Sequence, residues 1–184
     1  MPSGRRGYIA AIWVLALFAG MAGAHAATAM ELKSGSVPAD SLIARKYAYD
    51  QCDGGNVSPG FTWSGVPSGT KSFALTMHDP DAPAAGGWWH WIVTDIPADV
   101  RHLDEGGSGS LPAPIVEAHN DFRREGYGGP CPPRGADAHH YVFTIYALDV
   151  ATLSPGPNAS PAAIDDMLKA HALAKASLTA RYGR

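Results

Sequence analysis

No run of basic residues occurs anywhere in this chain. Its 184 residues carry 14 Lys and Arg against 17 Asp and Glu, a formal net charge of −3. Nucleic-acid binding relies on clustered cations that neutralise phosphates, so the charge argues against that class of partner. Cysteine is scarce: Cys52 and Cys131 are the two. Neither has an activating base near it in sequence, so neither reads as a nucleophile. No internal repeat and no second boundary divides the chain, which suits one domain with a sizeable core. No Ser or Thr sits in a recognisable nucleophile elbow, and no spacing of His, Cys, Asp and Glu matches a compact metal motif. No stretch resembles a membrane-binding amphipathic surface.

The one long apolar run is at the start. Arg5 and Arg6 precede it, residues 8–24 carry no charge, and Ala24-His25-Ala26 has the small-x-small form of a cleavage site. This predicts a signal peptide over residues 1–26, cut after Ala26, and a periplasmic or secreted domain over residues 27–184. A retained membrane anchor is the alternative. The leader removes Arg5 and Arg6 and no acid, so the net charge falls from −3 to −5. After its loss no stable membrane insertion is expected. Export places Cys52 and Cys131 in an oxidising compartment, where they can bridge or stay as two separate thiols.

What the chain has in quantity is extended structure broken by glycine and proline. Residues 73–77 alternate in the two-residue period of a strand. Asp79-Pro80-Asp81-Ala82-Pro83 interrupts it, because two prolines fix φ and remove two N–H donors. Gly86-Gly87 turns the chain, and residues 88–96 are again extended, rich in aromatic and β-branched types. Residues 139–149 are the clearest strand. His139, Tyr141, Phe143, Ile145 and Ala147 share one face, and His140, Val142, Thr144, Tyr146 and Leu148 the other. Both faces are largely apolar, which predicts a central strand covered on both sides. Shorter strands are expected within 31–37, 43–49, 61–63, 115–120 and 177–182, with a Gly/Pro-rich surface excursion at 100–114. Ser160 reads as an N-cap and Pro161 as the first residue of a helix over 161–175. The fold class is therefore mainly β, a β-sandwich with a peripheral C-terminal helix.

Four groups of residues invite a functional reading, and each has a plain structural one. Asp79 and Asp81, in the proline-stiffened loop, can simply cap backbone N–H groups. His90 sits early in the next strand, and its alternation with Trp89 and Trp91 points those two indoles to the opposite face, into the core. His139 and Tyr141, two apart, face the same way and can be ordinary core residues. The loop Gly128-Gly129-Pro130-Cys131-Pro132-Pro133 can be a rigid turn, although its glycines allow close backbone approach and Gly129 and Cys131 keep N–H donors. The Asn56-Val57-Ser58 and Asn158-Ala159-Ser160 triplets fit a glycosylation pattern too frequent to carry weight.

Taken in order, CDGGNVSPGFTW, DPDAP, GWWHWIV, GYGGPCPP, HHYVFTIYAL and LAKASLTARYGR resemble the phosphatidylethanolamine-binding protein family. The likeness is to its bacterial branch, named for similarity to the Raf kinase inhibitor protein. It covers nearly all of the chain after the leader. It implies two antiparallel sheets with a small pocket at one end, and it assigns Asp79 and His90 to the pocket floor. The same words bring Asp81, His139 and Tyr141 to the pocket, Gly129, Cys131 and Pro132 to its wall, and Pro83 and Trp88 to its apolar side. This chain departs from the family word at His140, where most relatives have Arg. The expected chemistry is an Asp79 carboxylate that charges the His90 ring, raising its pKa so that it attracts an anion.

The resemblance thus implies a binding protein for a phosphate-like or carboxylate anion, such as a phospholipid head group or a phosphorylated small molecule, with no cofactor. A protein-interaction or inhibitor module with its own protein partner is the alternative. A third reading, a metal-dependent or acid–base hydrolase, would draw on Asp79, Asp81, His78, His90, His139 and His140.

Overall fold

The computed structural model describes Met1, residues 29–156 and residues 158–184. The expected signal peptide and its cleavage point, apart from Met1, lie outside the described residues. Strands β1 (Glu31–Lys33), β2 (Phe61–Ser64) and β5 (His102–Leu103) form a small antiparallel sheet in the order β1-β2-β5. Strands β3 (Ser72–Asp79), β4 (Trp88–Pro97), β6 (Val116–Glu117), β7 (His139–Leu148) and β8 (Ala172–Tyr182) form a larger one, ordered β6-β4-β3-β7-β8. Helix α1 (Pro161–His171) packs on the outer face of the larger sheet.

The strands are where the alternation demands burial. Phe61 and Trp63 of β2 and Leu103 of β5 meet Phe73, Leu75 and Met77 of β3 and Phe143 and Ile145 of β7 between the sheets. Burying each such side chain contributes about 1.5–3 kcal/mol. The opposite face of the large sheet, with Ala74, Ile92, Tyr146 and Leu148, is covered by Leu153 and by Ile164 and Leu168 of α1. Thus β7 is apolar on both sides, as its sequence predicts. Ser160 caps α1, its Oγ accepting from Ala163 N–H at 3.2 Å. Among the described residues no helix is long and apolar enough to cross a membrane.

Several expectations need correction. Residues 43–49 hold a 3-10 turn, Arg45–Tyr47, not a strand. Its N–H groups bond three residues back, Tyr47 to Ala44 O and Ala48 to Arg45 O, and so cannot join a ladder. The helix ends at His171 rather than Lys175, and the last strand begins at Ala172. Pairing with β7, from Leu148 opposite Ala172 to His139 opposite Tyr182, outweighs the helical tendency of the alanines there. The 100–114 excursion is not all surface, since Leu103 is a buried member of the core.

The last correction concerns β4. Met77 pairs with Trp91 and His78 with Trp89, so His90 is an extra residue, a β-bulge. The bulge breaks the alternation. Trp91 joins the core between the sheets, whereas Trp89 packs against the outer cluster, beside His78. The two tryptophans therefore do not share a face, and His90 turns inward beside Tyr141.

Candidate functional site

The ends of β3, β4 and β7 meet at one end of the large sheet, and each carries a polar residue there: Asp79, His90 and His139. They border a cavity of about 370 Å³, within the size range of small-ligand sites. Its wall is apolar. Pro83 and Ala84 come from the loop after β3, Trp88 and Phe122 from one side, and Cys131, Pro132 and Pro133 from the other. Among the described residues no group of three His, Cys, Asp or Glu is arranged to hold a metal ion.

Asp79 is buried and fully engaged. Its Oδ1 accepts from the backbone N–H groups of Asp81 (2.9 Å) and Ala82 (3.1 Å), which holds the proline loop in its turn. Its Oδ2 accepts from His139 Nδ1 at 2.8 Å. The capping role and the pairing role, set against each other in the sequence, belong to two oxygens of one carboxylate. The loop returns through Gly87, whose φ of +81° and close approach to the Asp79 carbonyl and His78 ring suit glycine alone.

His90 differs from its expected state. Asp79 is paired with His139, not with His90. Burial lowers the His90 pKa from 6.5 to about 4, outweighing the Gly128 hydrogen bond and the Asp79 charge that raise it. The ring is neutral near neutral pH, so the imidazolium expected from the sequence is corrected. Its Nδ1–H donates to Gly128 O at 2.7 Å, while Gly128 N–H donates back to His90 O at 2.9 Å. Asn120 Nδ2 also donates to His90 O, at 3.3 Å. These bonds satisfy backbone groups that the bulge leaves out of the ladder. Phe122 and Tyr141 pack edge-on against the ring.

Three residues expected at the pocket sit elsewhere in its surroundings. Asp81 is exposed and accepts from the backbone N–H and Nδ1 of His140, both at 2.7 Å; the His140 bonds hold its carboxyl below the usual range. Gly129 is buried, its N–H given to Asn56 Oδ1 at 2.8 Å. The close approach that requires glycine there is to the backbone of residues 47–49, not to open space. Tyr141 lies fully buried behind the cavity lining. Its hydroxyl faces the Asp79 carboxylate and the Cys131 backbone, and burial, then the Asp79 charge, pushes the phenol pKa up.

Cys52 and Cys131 form a disulfide, with Cα atoms 5.7 Å apart. It ties the loop before β2 to the cavity wall. Phe122 was absent from the sequence expectations yet is central, stacked on Tyr49 at 4.3 Å and edge-on to Trp88 at 5.4 Å. Nothing in its short loop, Asn120-Asp121-Phe122-Arg123, signals this. Asn56 was also passed over. Its side chain bridges the Tyr127 carbonyl and the Gly129 N–H, and its place in the CDGGNVSPGFTW word was the available signal.

Comparison with known proteins agrees with this architecture. Residues 33–183 match the family model described as phosphatidylethanolamine-binding protein. The chain is 44% identical over 169 residues to the UPF0098 protein YbcL of Escherichia coli, covering 90% of this chain and 91% of that protein. It is 45% identical over 133 residues to YbhB of the same organism, covering 71% and 84%. The crystal structure of E. coli YbcL, described as a new member of the mammalian PEBP family, superposes with a TM-score of 0.82 at 40% identity. That match covers 85% of this chain and 99% of that one. A phosphatidylethanolamine-binding protein from Plasmodium vivax shares the fold at 15% identity, with a TM-score of 0.53 over 84% of this chain and 85% of that one. The chain belongs to the phosphatidylethanolamine-binding protein family.

Proposed function

We propose that this chain is an exported binding protein whose cavity takes the acidic head of a small molecule, a phosphate-like or carboxylate group. The observation that carries the reading is the polar floor of an otherwise apolar cavity. His90 and His139 each give Nδ1 to the protein, to Gly128 O and to Asp79 respectively, which leaves both Nε2 atoms for a ligand. The Pro83, Trp88 and Pro132 side chains would cover the ligand's remaining surface. Export is supported by the leader pattern in residues 1–26 and by the Cys52–Cys131 disulfide. The reading is of binding and not catalysis, as the sequence has no activated nucleophile.

Titration of the protein with inorganic phosphate and acetate, followed through the histidine ring signals by NMR, tests the site. His90 and His139 should shift together and saturably, and His139→Ala should remove the response. An unaltered response in that variant would place the site elsewhere. Intact mass of the protein from its own host should correspond to a chain beginning at Ala27.

A further inference from the structure

The outer face of the large sheet carries a second cavity, of about 380 Å³, between β3, β7 and α1. Asp79, His90 and His139 do not border it, so it stands apart from the anion cavity. Beneath α1 this face of the sheet is apolar, with Ala74, Ile92 and Leu148. Beside the helix it turns to hydroxyls. Thr76 and Thr144 form a direct cross-strand pair, with Tyr146 next along β7 on the same face. All three are buried, Thr76 to within 2% exposure, yet all three border the cavity. Their bonds run in a chain. The Thr76 hydroxyl bonds the Tyr146 oxygen, and Tyr146 O–H donates to Asp165 Oδ1 at 2.9 Å. Lys169 Nζ closes the chain on Asp165 Oδ2. Thr144 Oγ1 shares a second bond, of 2.9 Å, with Ser177 Oγ. A hydroxyl has one hydrogen and two lone pairs. The Thr76 oxygen therefore keeps lone pairs, the Thr144–Ser177 pair keeps one hydrogen, and the Lys169 ammonium keeps two.

An aromatic surface borders the same space. The His78 and Trp89 rings stack with centroids 4.3 Å apart. His78 Nε2–H donates to Gly86 O at 2.8 Å, which fixes the ring and with it the stack. The charges on α1, Asp165 and Asp166 against Lys169, leave an acidic excess that disfavours phosphate and carboxylate ligands. An apolar ring would leave the buried hydroxyls facing no partner. A pyranose meets both demands, since its edges are hydroxyls that give and accept hydrogen and its face is a patch of C–H groups. We propose that this cavity binds one saccharide ring, with its C–H face on Trp89 and its hydroxyls on Thr76, Asp165 and Lys169. The negative face of an indole attracts such C–H groups, and the few placed polar groups fix the ring's orientation.

The test titrates the protein with the methyl glycosides of glucose, galactose and mannose, and with cyclohexanol, a six-membered ring bearing one hydroxyl. Binding is followed by NMR of the Trp89 indole and of the Thr76 and Thr144 methyl groups. At least one glycoside should shift these signals saturably and bind at least about tenfold more tightly than cyclohexanol, because a site built to bond hydroxyls penalises their loss. Thr76→Val keeps the side-chain shape and removes the hydroxyl, and it should weaken that glycoside about tenfold. Unchanged His90 and His139 ring signals in the variant would show that the fold is kept. Lys169→Gln, at an exposed helix position, should weaken the same glycoside and serves if the valine variant does not fold. Silence of Trp89, Thr76 and Thr144 toward all three glycosides would overturn the proposal. So would cyclohexanol binding as tightly as the sugars, which would leave only an apolar cleft. Undiminished affinity in the folded variants would place the sugar elsewhere and overturn it as well.

Discussion

Two histidine–aspartate pairs sit side by side in this protein and differ in almost everything but distance. His139 and Asp79 are 2.8 Å apart, and His140 and Asp81 are 2.7 Å apart. The histidines are neighbours on β7, and the acids lie two apart at the end of β3 and in the loop beyond. Yet the side chains of the first pair are 11% and 4% exposed, and those of the second 52% and 42%. Alternation on β7 sends one ring inward and the next to solvent. Water screens the outer pair, which is then worth little. The inner pair lies where an unpartnered polar group has no water to turn to. Contact distance therefore does not rank the two; burial does.

The comparison can be broken by removing each acid in turn. Asp79→Ala should cost the most, about 3–5 kcal/mol in denaturant unfolding. It strands His139 and releases the Asp81 and Ala82 N–H groups as well. A loss under about 1 kcal/mol would mean that the inner pair is no stronger than a surface one.

Acid sharpens the same contrast through His90, the other buried ring. In the unfolded chain this histidine takes up a proton near pH 6.5, and in the folded chain only near about 4. Between these values the unfolded state binds more protons, so stability falls as pH falls. The loss should approach about 2–3 kcal/mol by pH 4. His90→Gln should flatten this part of the profile, measured by thermal unfolding from pH 7 to 4. An unchanged slope in the variant would assign the acid sensitivity to other groups.

Asp81→Ala should have the smallest effect, at most about 1 kcal/mol, diminishing further with added salt. The lowered Asp81 pKa makes its small contribution present above the ordinary carboxylate range and lost as pH drops through the folded value. A double-mutant cycle on each pair should give a larger coupling for His139–Asp79 than for His140–Asp81. Equal couplings would remove burial as the deciding term.

The sequence revealed those features that one segment decides alone. Alternation in residues 73–77 and 139–149 marked β3 and β7, both faces of β7 included. Ser160 and Pro161 marked the start of α1, because a cap and a fixed φ act within one turn. What stayed hidden depends on a partner. The bulge at His90 exists only in the pairing of β4 with β3, so the run Trp88-Trp89-His90-Trp91 reads as plain alternation. The neutral state of His90 depends on Phe122 and Tyr141 closing over it, which a nearby acid in the sequence cannot show. The boundary between His171 and Ala172 is set by β7, since the alanine-rich run suits helix and strand pairing alike. At the cavity, the loop and strand words located Asp79, His90 and His139 together, but not which acid each ring would meet.

The bulge has a consequence for inheritance. Met77 pairs with Trp91 and His78 with Trp89, so the ladder counts every residue there except His90. Loss of that single codon would close the register and keep the strands, while removing the inward imidazole and freeing the Gly128 carbonyl. Gain of one codon would restore it. The inward ring of the cavity therefore hangs on one residue that the β3–β4 ladder does not count, held instead by its bonds to Gly128 and Asn120.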